Sequence, residues 1–467
     1  MRTFYKRRDN KSMKKLKFLF GLWIGKIIVV LTKLFAKERG TNVPGVWAMK
    51  FSKDFLAQFK NVNLDKVIFI TGTNGKSTTN NMVVHCMKSA GKKVCTNLEG
   101  ANLITGVATA MIKSSSVLGR MKAEYLIFET DERYLQHIYK QLPAKNICVT
   151  NIQKDQVQRN GEPDYIYKKI QKVITKDTRL FLNNHEPRSK SLEEFGKEAI
   201  YYGMDETELS YRKDGLYDVT MPCPKCEGRI HFDYYNVENV GKFHCESCGF
   251  QSEEKIMYEA KMLDYDKQTF MCGDTTYKVQ YTQPYFIYNY ILCVALCKQF
   301  GIEDKAIQKA FTTFKNIGGR FELIKYKDKE IKYVRIKQEN PETLQTALNY
   351  ISVDKSEKVF VMGLAELEDF HPYYTNTFYT FDCDFKGMED SNISHYICFS
   401  KAVAYDSANR LIYEGIPEDK ITILPTGDAE TILKEIEKHK TNNIYLITWL
   451  HSYYDILNYL KKIKSIK

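Results

Sequence analysis

The chain has 467 residues, 43% of them hydrophobic and 27% charged, with a formal net charge of +12 and 12 cysteines. Such a composition leaves room for two or three domains with ordinary cores. No long Lys or Arg tract with interleaved aromatics stands out as a nucleic-acid groove, so no nucleic-acid partner is expected, and these cysteines, in a long chain without a clear secretory signal, fit the reducing cytoplasm better than a disulfide scaffold.

Residues 1–60 read as a helical lead-in, broken at Gly40-Thr41-Asn42-Val43-Pro44-Gly45. Within it, residues 18–36 are strongly apolar, but Lys26 and Lys33 interrupt the run, so no charge-free stretch approaches the ~20 residues of a spanning helix. Two readings stay open. With Lys14, Lys15 and Lys17 flanking Phe18, Leu22 and Trp23, the helix lies on an anionic leaflet, which would add a peripheral contact with the inner face of the membrane. Alternatively it packs on the protein body.

An apolar run at 67–70 ends in Thr71-Gly72-Thr73-Asn74-Gly75-Lys76-Ser77-Thr78-Thr79, and a helix-like pattern follows to residue 89. This is strand, phosphate loop, helix. Gly72, Thr73, Asn74, Gly75, Lys76, Ser77 and Thr78 form the expected nucleotide-binding loop. Its glycines let backbone N–H groups approach phosphate oxygens, Lys76 reaches the β/γ-phosphates of ATP, and the Ser77 hydroxyl sits on Mg²⁺. Gly72 and Gly75 enclose two residues, where the general phosphate-loop pattern has four between its glycines.

Further apolar runs at 125–128 and 147–149 alternate with helical segments, which predicts an α/β domain with a parallel sheet over residues 61–319. Glu129 closes the first of these runs as a candidate Mg²⁺ ligand, with Asp131 and Glu132 beside it. Asn151 and Asp155 follow the second run, at the sheet edge where open α/β sheets bind ligands, and are candidates for positioning metal or phosphate. Cys223-Pro-Lys-Cys226 and Cys245-Glu-Ser-Cys248, with 18 residues between the pairs, have the spacing of a four-thiolate Zn²⁺ ribbon inserted at 219–252. Four protein ligands leave no open position, so that zinc is structural. His231 and His244 read as ordinary ribbon residues. Residues 285–300 are apolar and helical, and Gly318-Gly319-Arg320-Phe321-Glu322 marks the join to a second α/β region at 320–467, with strands expected at 358–362, 396–399, 420–424 and 444–448. Arg320 is a candidate clamp for the γ-phosphate as domains close.

In this order, several runs resemble the MurT branch of the Mur ligase superfamily, the synthase subunits of lipid II isoglutaminyl synthase. They are the phosphate loop, Asn97-Leu98-Glu99-Gly100-Ala101-Asn102, Glu129-Thr130-Asp131-Glu132, Asp155-Gln156, Arg159-Asn160-Gly161-Glu162, the cysteine ribbon, Tyr288-Asn289, Gly319-Arg320-Phe321-Glu322, and Tyr405-Asp406 with Arg410-Leu411. The ribbon is the sharpest discriminator, because ordinary Mur ligases lack it. The resemblance implies a Mur ligase-type phosphate-loop domain carrying the inserted four-cysteine zinc ribbon, followed by a Rossmann-like C-terminal α/β domain. It implies that ATP phosphorylates the α-carboxylate of D-glutamate in the lipid II stem peptide and that ammonia from a separate glutaminase subunit displaces the phosphate. Lys76 and Arg320 would hold phosphate, Ser77 and Glu129 would serve Mg²⁺, and Asn289 would contact the adenine. An aspartate near Asp382 and Asp384 would complete the partner's glutaminase triad, with Asn376 at another equivalent position. The chain departs from the family pattern at Phe286, at Asn340-Pro341-Glu342-Thr343, around Phe378–Phe385 and at Thr448-Trp449-Leu450-His451. Two rival readings remain: a Mur-like carboxylate–amine ligase with another acceptor or amine, and a zinc-ribbon scaffold or nucleic-acid binder with a vestigial nucleotide site. Intact Lys76, Ser77 and Glu129 weigh against the second.

Overall fold

The computed structural model describes residues 2–35, 42–97, 102–157, 161–213, 221–315, 321–337, 339–364 and 378–463, with side chains from residue 12 onward except those of 33, 35, 321 and 378. The chain forms two compact units. One draws its described residues from Met1–Gln153, Glu162–Arg212 and Thr220–Ile317, the other from Lys154–Gly161, Lys213–Val219 and Gly318–Lys467.

A helix over Arg2–Phe35 and a second over Val43–Phe51 lead into the first unit. Its sheet comprises β1 (Val67–Thr71), β2 (Val94–Thr96), β3 (Tyr125–Glu129), β4 (Asn146–Val149), β5 (Arg179–Asn183) and β6 (Glu198–Met204), extended by three further strands. The spatial order β2-β3-β1-β4-β5-β6 is parallel throughout. Every residue of β1 is buried, as a parallel strand covered on both faces requires. Its side chains alternate between two cores. Ile68 and Ile70 pack with Met82 and Val83 of the helix Lys76–Ser89 and with Ile291 of the helix Pro284–Gln299. Val67 and Phe69 face Phe18, Leu22, Val107 and Met111.

A hairpin, β7 (Ile230–Val237) and β8 (Val240–Cys245), lies in the connection that leaves β6 and returns as β9 (Tyr258–Asp264). β9 pairs parallel with β6, and β10 (Thr269–Cys272) and β11 (Thr275–Lys278) continue the sheet antiparallel. The ribbon is thus spliced between two adjacent strands of the sheet. The sequence reading had no strands at β9–β11, although Gly273-Asp274 between two β-rich runs is a two-residue hairpin signal.

In the second unit, β12 (Phe321–Tyr326) and β13 (Lys329–Arg335) form an antiparallel hairpin. Next to it lie β14 (Lys358–Gly363), β15 (Ile393–Phe399), β16 (Ile421–Leu424) and β17 (Asn443–Thr448) in the order β12-β13-β17-β14-β15-β16, parallel from β13 onward. These last four strands are the four expected from the sequence. Helices cover both faces. Val359 and Val361 pack with Ile432 and Tyr453, and Phe360 and Met362 pack with Leu344 and Leu411. Lys154 and Asp155 group with this unit because Asn340 holds them: its Nδ2 donates to the Lys154 carbonyl at 3.0 Å and to Asp155 Oδ1 at 3.1 Å.

Candidate active site

The phosphate loop leaves the C-terminal end of β1 and turns into the helix Lys76–Ser89. Gly72 and Gly75 adopt φ of +120° and +84°, where a side chain is strained. There is also no room for one. A Cβ on Gly72 would lie 2.3 Å from Thr150 Oγ1, and one on Gly75 would lie 2.5 Å from Asn289 Oδ1. The glycines therefore let β4's exit loop and the helix Pro284–Gln299 close on the turn.

That closure is braced by side-chain amides. The Asn74 N–H donates to Asn151 Oδ1 at 2.8 Å, and Asn151 Nδ2 donates back to the Asn74 carbonyl at 3.2 Å. Asn74 Nδ2 donates to Gln153 Oε1, Thr73 Oγ1 donates to the Gln153 carbonyl, and the Gln153 N–H donates to Thr73 Oγ1. Asn151, a candidate for positioning metal or phosphate, bonds at both ends of its amide to the loop's backbone and so braces it. Asn289 is buried, and its Oδ1 accepts from Thr79 Oγ1 at 3.1 Å. Thr73 and Thr78 are buried as well, while Ser77 is exposed at the start of the helix.

Lys76 Nζ bonds to the carbonyls of Gly72 and Thr73 and pairs with Glu132 Oε1 at 2.8 Å. Burial pushes the Glu132 carboxyl above its ordinary value, and the Lys76 charge opposes that rise. Burial also acts on Asp131, but the hydrogen bond and charge of Arg133 hold that carboxyl below its ordinary value. Glu129 ends β3 in register with Ile70 of β1, and the Thr130 N–H donates to the Ile70 carbonyl at 3.0 Å. Asn97 fixes the Glu129 backbone on both sides, donating from Nδ2 to its carbonyl at 2.8 Å and accepting its N–H at Oδ1 at 3.0 Å. The Asn102 carbonyl accepts the Asp131 N–H. The site sets Lys76 against Glu132, with the Asp131 carboxylate in its field and Glu129 at the neighbouring strand end. Arg320 lies outside the described residues, as do Arg159, Asn160 and Asn376.

Beneath the loop, Glu186 is buried and accepts N–H groups from Ile152 at 3.2 Å, Arg188 at 3.3 Å and Ser189 at 2.7 Å. Burial, only partly offset by Arg188 and these donors, raises its carboxyl to about 7. Its neighbour His185 bonds through Nδ1 to the Tyr288 hydroxyl at 2.9 Å, and burial lowers it to about 3, so it stays neutral. Sequence reasoning singled out neither residue. Nor did it foresee the Lys76–Glu132 pair or Gln153 as a brace, although Asn97 and Glu132 stood in the motif runs.

The four ribbon cysteines converge. Cys223 Sγ and Cys248 Sγ lie 3.8 Å apart, Cys226 Sγ and Cys245 Sγ 3.6 Å apart, and all four lie within 4.8 Å of one another. A tetrahedron with Zn–S bonds of about 2.3 Å has edges of about 3.8 Å, so these thiols could hold such an ion. His231 pairs with Glu246 and His244 with Asp233, each outside the thiol set.

In the second unit, Asp382 pairs with Lys154 at 3.1 Å. The Asp384 N–H donates to Gln345 Oε1 at 2.6 Å, and Asp384 Oδ1 accepts the Lys386 N–H at 2.9 Å. Asp155 pairs with Lys337 at 3.3 Å besides its bond to Asn340. The turn bearing Asp382 and Asp384 is fastened by Arg410, which is fully buried. It donates to the carbonyls of Thr380 and Cys383, pairs with Glu414 and lies over the rings of Phe381 and Phe385.

Residues 70–223 match the Mur ligase middle domain, and residues 338–451 match the MurT ligase C-terminal domain. These matches make the chain similar to the MurT ligases. Curated relatives agree over most of its length. It is 29% identical to the MurT subunit of lipid II isoglutaminyl synthase of Streptococcus pneumoniae, over 92% of this chain and 94% of that one. It is 28% identical to the MurT subunit of Staphylococcus aureus strain COL, over 77% of this chain and 80% of that one. Solved structures share the fold. A pseudomurein peptide ligase type C of Methanothermus fervidus matches with a TM-score of 0.63 at 19% identity, covering 88% of this chain and 81% of that one. MurF of Acinetobacter baumannii matches with a TM-score of 0.60 at 14% identity, covering 90% and 80%. The MurT-specific match spans Asn340, Asp382, Asp384 and Arg410. The braced loop and Glu129 lie in the stretch matched to Mur ligases at large.

Proposed function

We propose that the chain is the synthase subunit of an amidating ligase that converts the D-glutamate α-carboxylate of lipid II to D-isoglutamine at the expense of ATP. The observation that carries this reading is a braced phosphate loop with Lys76 paired to Glu132, in a chain with MurT relatives across most of its length. A carboxylate oxygen of the acceptor attacks the γ-phosphorus of ATP, and ADP departs. Ammonia then adds to the acyl carbon, loses a proton, and phosphate leaves carrying that carboxylate oxygen. Lys76 and Arg320 hold the phosphate charge as it redistributes. Asn151 and Gln153 act as positioning residues that keep the loop's N–H groups in place. Ser77 and Glu129 would hold Mg²⁺, which supplies charge neutralisation between the phosphates. Asn289, whose Oδ1 is occupied by Thr79, would turn its amide nitrogen to the base.

Cys223, Cys226, Cys245 and Cys248 would hold a structural Zn²⁺, which ties the β7–β8 hairpin to the knuckles where no large core is available. Ammonia comes from a separate glutaminase subunit, and an aspartate of the Arg410-fastened turn completes that subunit's triad.

The test is ADP release by the purified chain with lipid II and ammonium, alongside mass analysis of the lipid. ADP release with conversion of carboxyl to carboxamide, both lost in Lys76→Ala, supports the reading. ATP turnover without amidation overturns it in favour of another acceptor or amine. With the glutaminase subunit added, glutamine should replace ammonium as the nitrogen donor.

A further inference from the structure

The helix Arg2–Phe35 has two apolar faces, and only one is used. Its inner face is fixed to the protein body. Phe18 and Leu22 are buried, a Cβ on Gly21 would lie 2.6 Å from the Ala48 carbonyl oxygen, and Lys26 Nζ donates to the carbonyls of Ile112 at 2.8 Å and Ser115 at 2.7 Å. The outer face carries Leu16, Phe20, Trp23, Ile27, Val30 and Leu34, each between 47% and 71% exposed. Their spacing alternates between four and three residues, so they form one stripe along the helix. Trp23 Nε1 donates to the Val117 carbonyl at 2.9 Å, which sets the exposed Val117 and Leu118 beside this stripe. Such an apolar surface on a folded protein marks an interaction site.

Charge says what covers it. Residues 1–40 contain twelve Lys and Arg against only Asp9 and Glu38, so this segment accounts for ten of the chain's twelve net positive charges. A second copy of the helix offers no acidic complement in either orientation: parallel or antiparallel pairing sets basic segments against basic segments. A spanning role is excluded because, among the described residues, no helix is long and apolar enough to cross a membrane. A surface that is apolar below and negatively charged above satisfies both features.

We propose that the outer face of this helix docks the enzyme onto an anionic lipid surface, its apolar stripe inserted at the headgroup boundary and the exposed Lys14, Lys15 and Lys17 among the headgroups. The helix then serves as a rigid keel, since Gly21 and Lys26 hold it to the first unit. This inference does not rest on the amidation reading.

The test uses the full chain without ATP or lipid-linked acceptor, so that it stands or falls separately from the proposed reaction. Flotation is measured with vesicles of phosphatidylglycerol and phosphatidylcholine and with vesicles of phosphatidylcholine alone. The expected result is about tenfold or greater preference for the anionic vesicles, lost in high salt, with a blue shift of tryptophan emission. Ile27→Asp breaks the stripe and the triple variant Lys14→Glu, Lys15→Glu, Lys17→Glu breaks the charge. Each should abolish flotation while keeping the wild-type unfolding temperature, because all four side chains are exposed. Failure of the wild-type chain to float, or equal binding to both vesicles, overturns the proposal. So does a dimer in solution that Ile27→Asp converts to a monomer without any vesicle binding, which would make a second copy the occupant.

Discussion

The phosphate loop and the turn at 378–385 are both short irregular segments that display chemically important side chains, and they are held in opposite ways. The loop's conformation is imposed where it is written. Two glycines at positive φ are locked by amides from Asn151 and Gln153 on the neighbouring strand exit. The other turn has no such local instruction. Buried Arg410 reaches over from the helix Val403–Tyr413 and supplies its backbone carbonyls with donors and its rings with a cation, while the Gln345 amide takes the Asp384 N–H. A turn whose glycines set its backbone tolerates drift in the rest of the chain, whereas a turn held by side chains distant in sequence depends on each of those contacts.

Four substitutions break or sharpen this contrast. The largest effect belongs to chemistry in the loop: Lys76→Ala should lower ATP turnover by about 100- to 1,000-fold, the scale for removing one charged group aimed at the transferring phosphate, as read by steady-state ADP release. Next comes the second turn. Arg410→Met removes the ion pair with Glu414, which is 7% exposed, together with the donors to the turn, and should cost about 3–5 kcal/mol in urea unfolding. Part of that loss should return when Glu414→Gln is added. If Arg410→Met is neutral, the turn does not depend on its arginine. Gly72→Ala tests the locally written turn and should cost about 1–3 kcal/mol in thermal unfolding, with weaker nucleotide protection, because the new Cβ meets Thr150 and Asn151.

The smallest effect is a pH slope under the loop. Glu186 takes up its proton more readily folded than unfolded, its carboxyl being raised from 4.5 to about 7. Its contribution is therefore fully present below pH 4.5 and is lost as the pH rises through about 7. His185, lowered to about 3, gives the opposite slope, losing stability as the pH falls below 6.5. The informative quantity is thus the difference between wild type and Glu186→Gln, which should grow by about 1–3 kcal/mol in the variant's favour from acid to neutral pH. A constant difference would mean that folding leaves the Glu186 carboxyl unshifted.

Much of this contrast decided what could be read from the sequence. Gly72, Gly75 and Lys76 announce a phosphate loop because backbone conformation and charge are demanded at fixed spacing, and the four cysteines announce a metal ribbon for the same reason. The buried strands β1, β3 and β4 stood out as apolar runs between helical segments. The extension β9–β11 and the hairpin β12–β13 did not, because charged residues interrupt the apolar ones in β9, β12 and β13, and β10 and β11 are only 4 residues each. Pairings across long separations stayed invisible. Nothing local couples Lys76 to Glu132, His185 to Tyr288 or Arg410 to the carbonyls of Thr380 and Cys383. The N-terminal helix offered two readings as alternatives, body packing and a lipid surface. Body packing accounts for one of its faces, and its other face is the apolar stripe that leaves the lipid surface as our proposal.

The most direct measurement follows an oxygen atom. Lipid II bearing ¹⁸O in the D-glutamate α-carboxylate is turned over with ATP and ammonium, and the released inorganic phosphate is weighed by mass spectrometry. An acyl phosphate intermediate transfers one labelled oxygen to each phosphate formed, in step with amide formation. Unlabelled phosphate accompanying amide, or phosphate released with no amide at all, would contradict carboxylate activation at this loop.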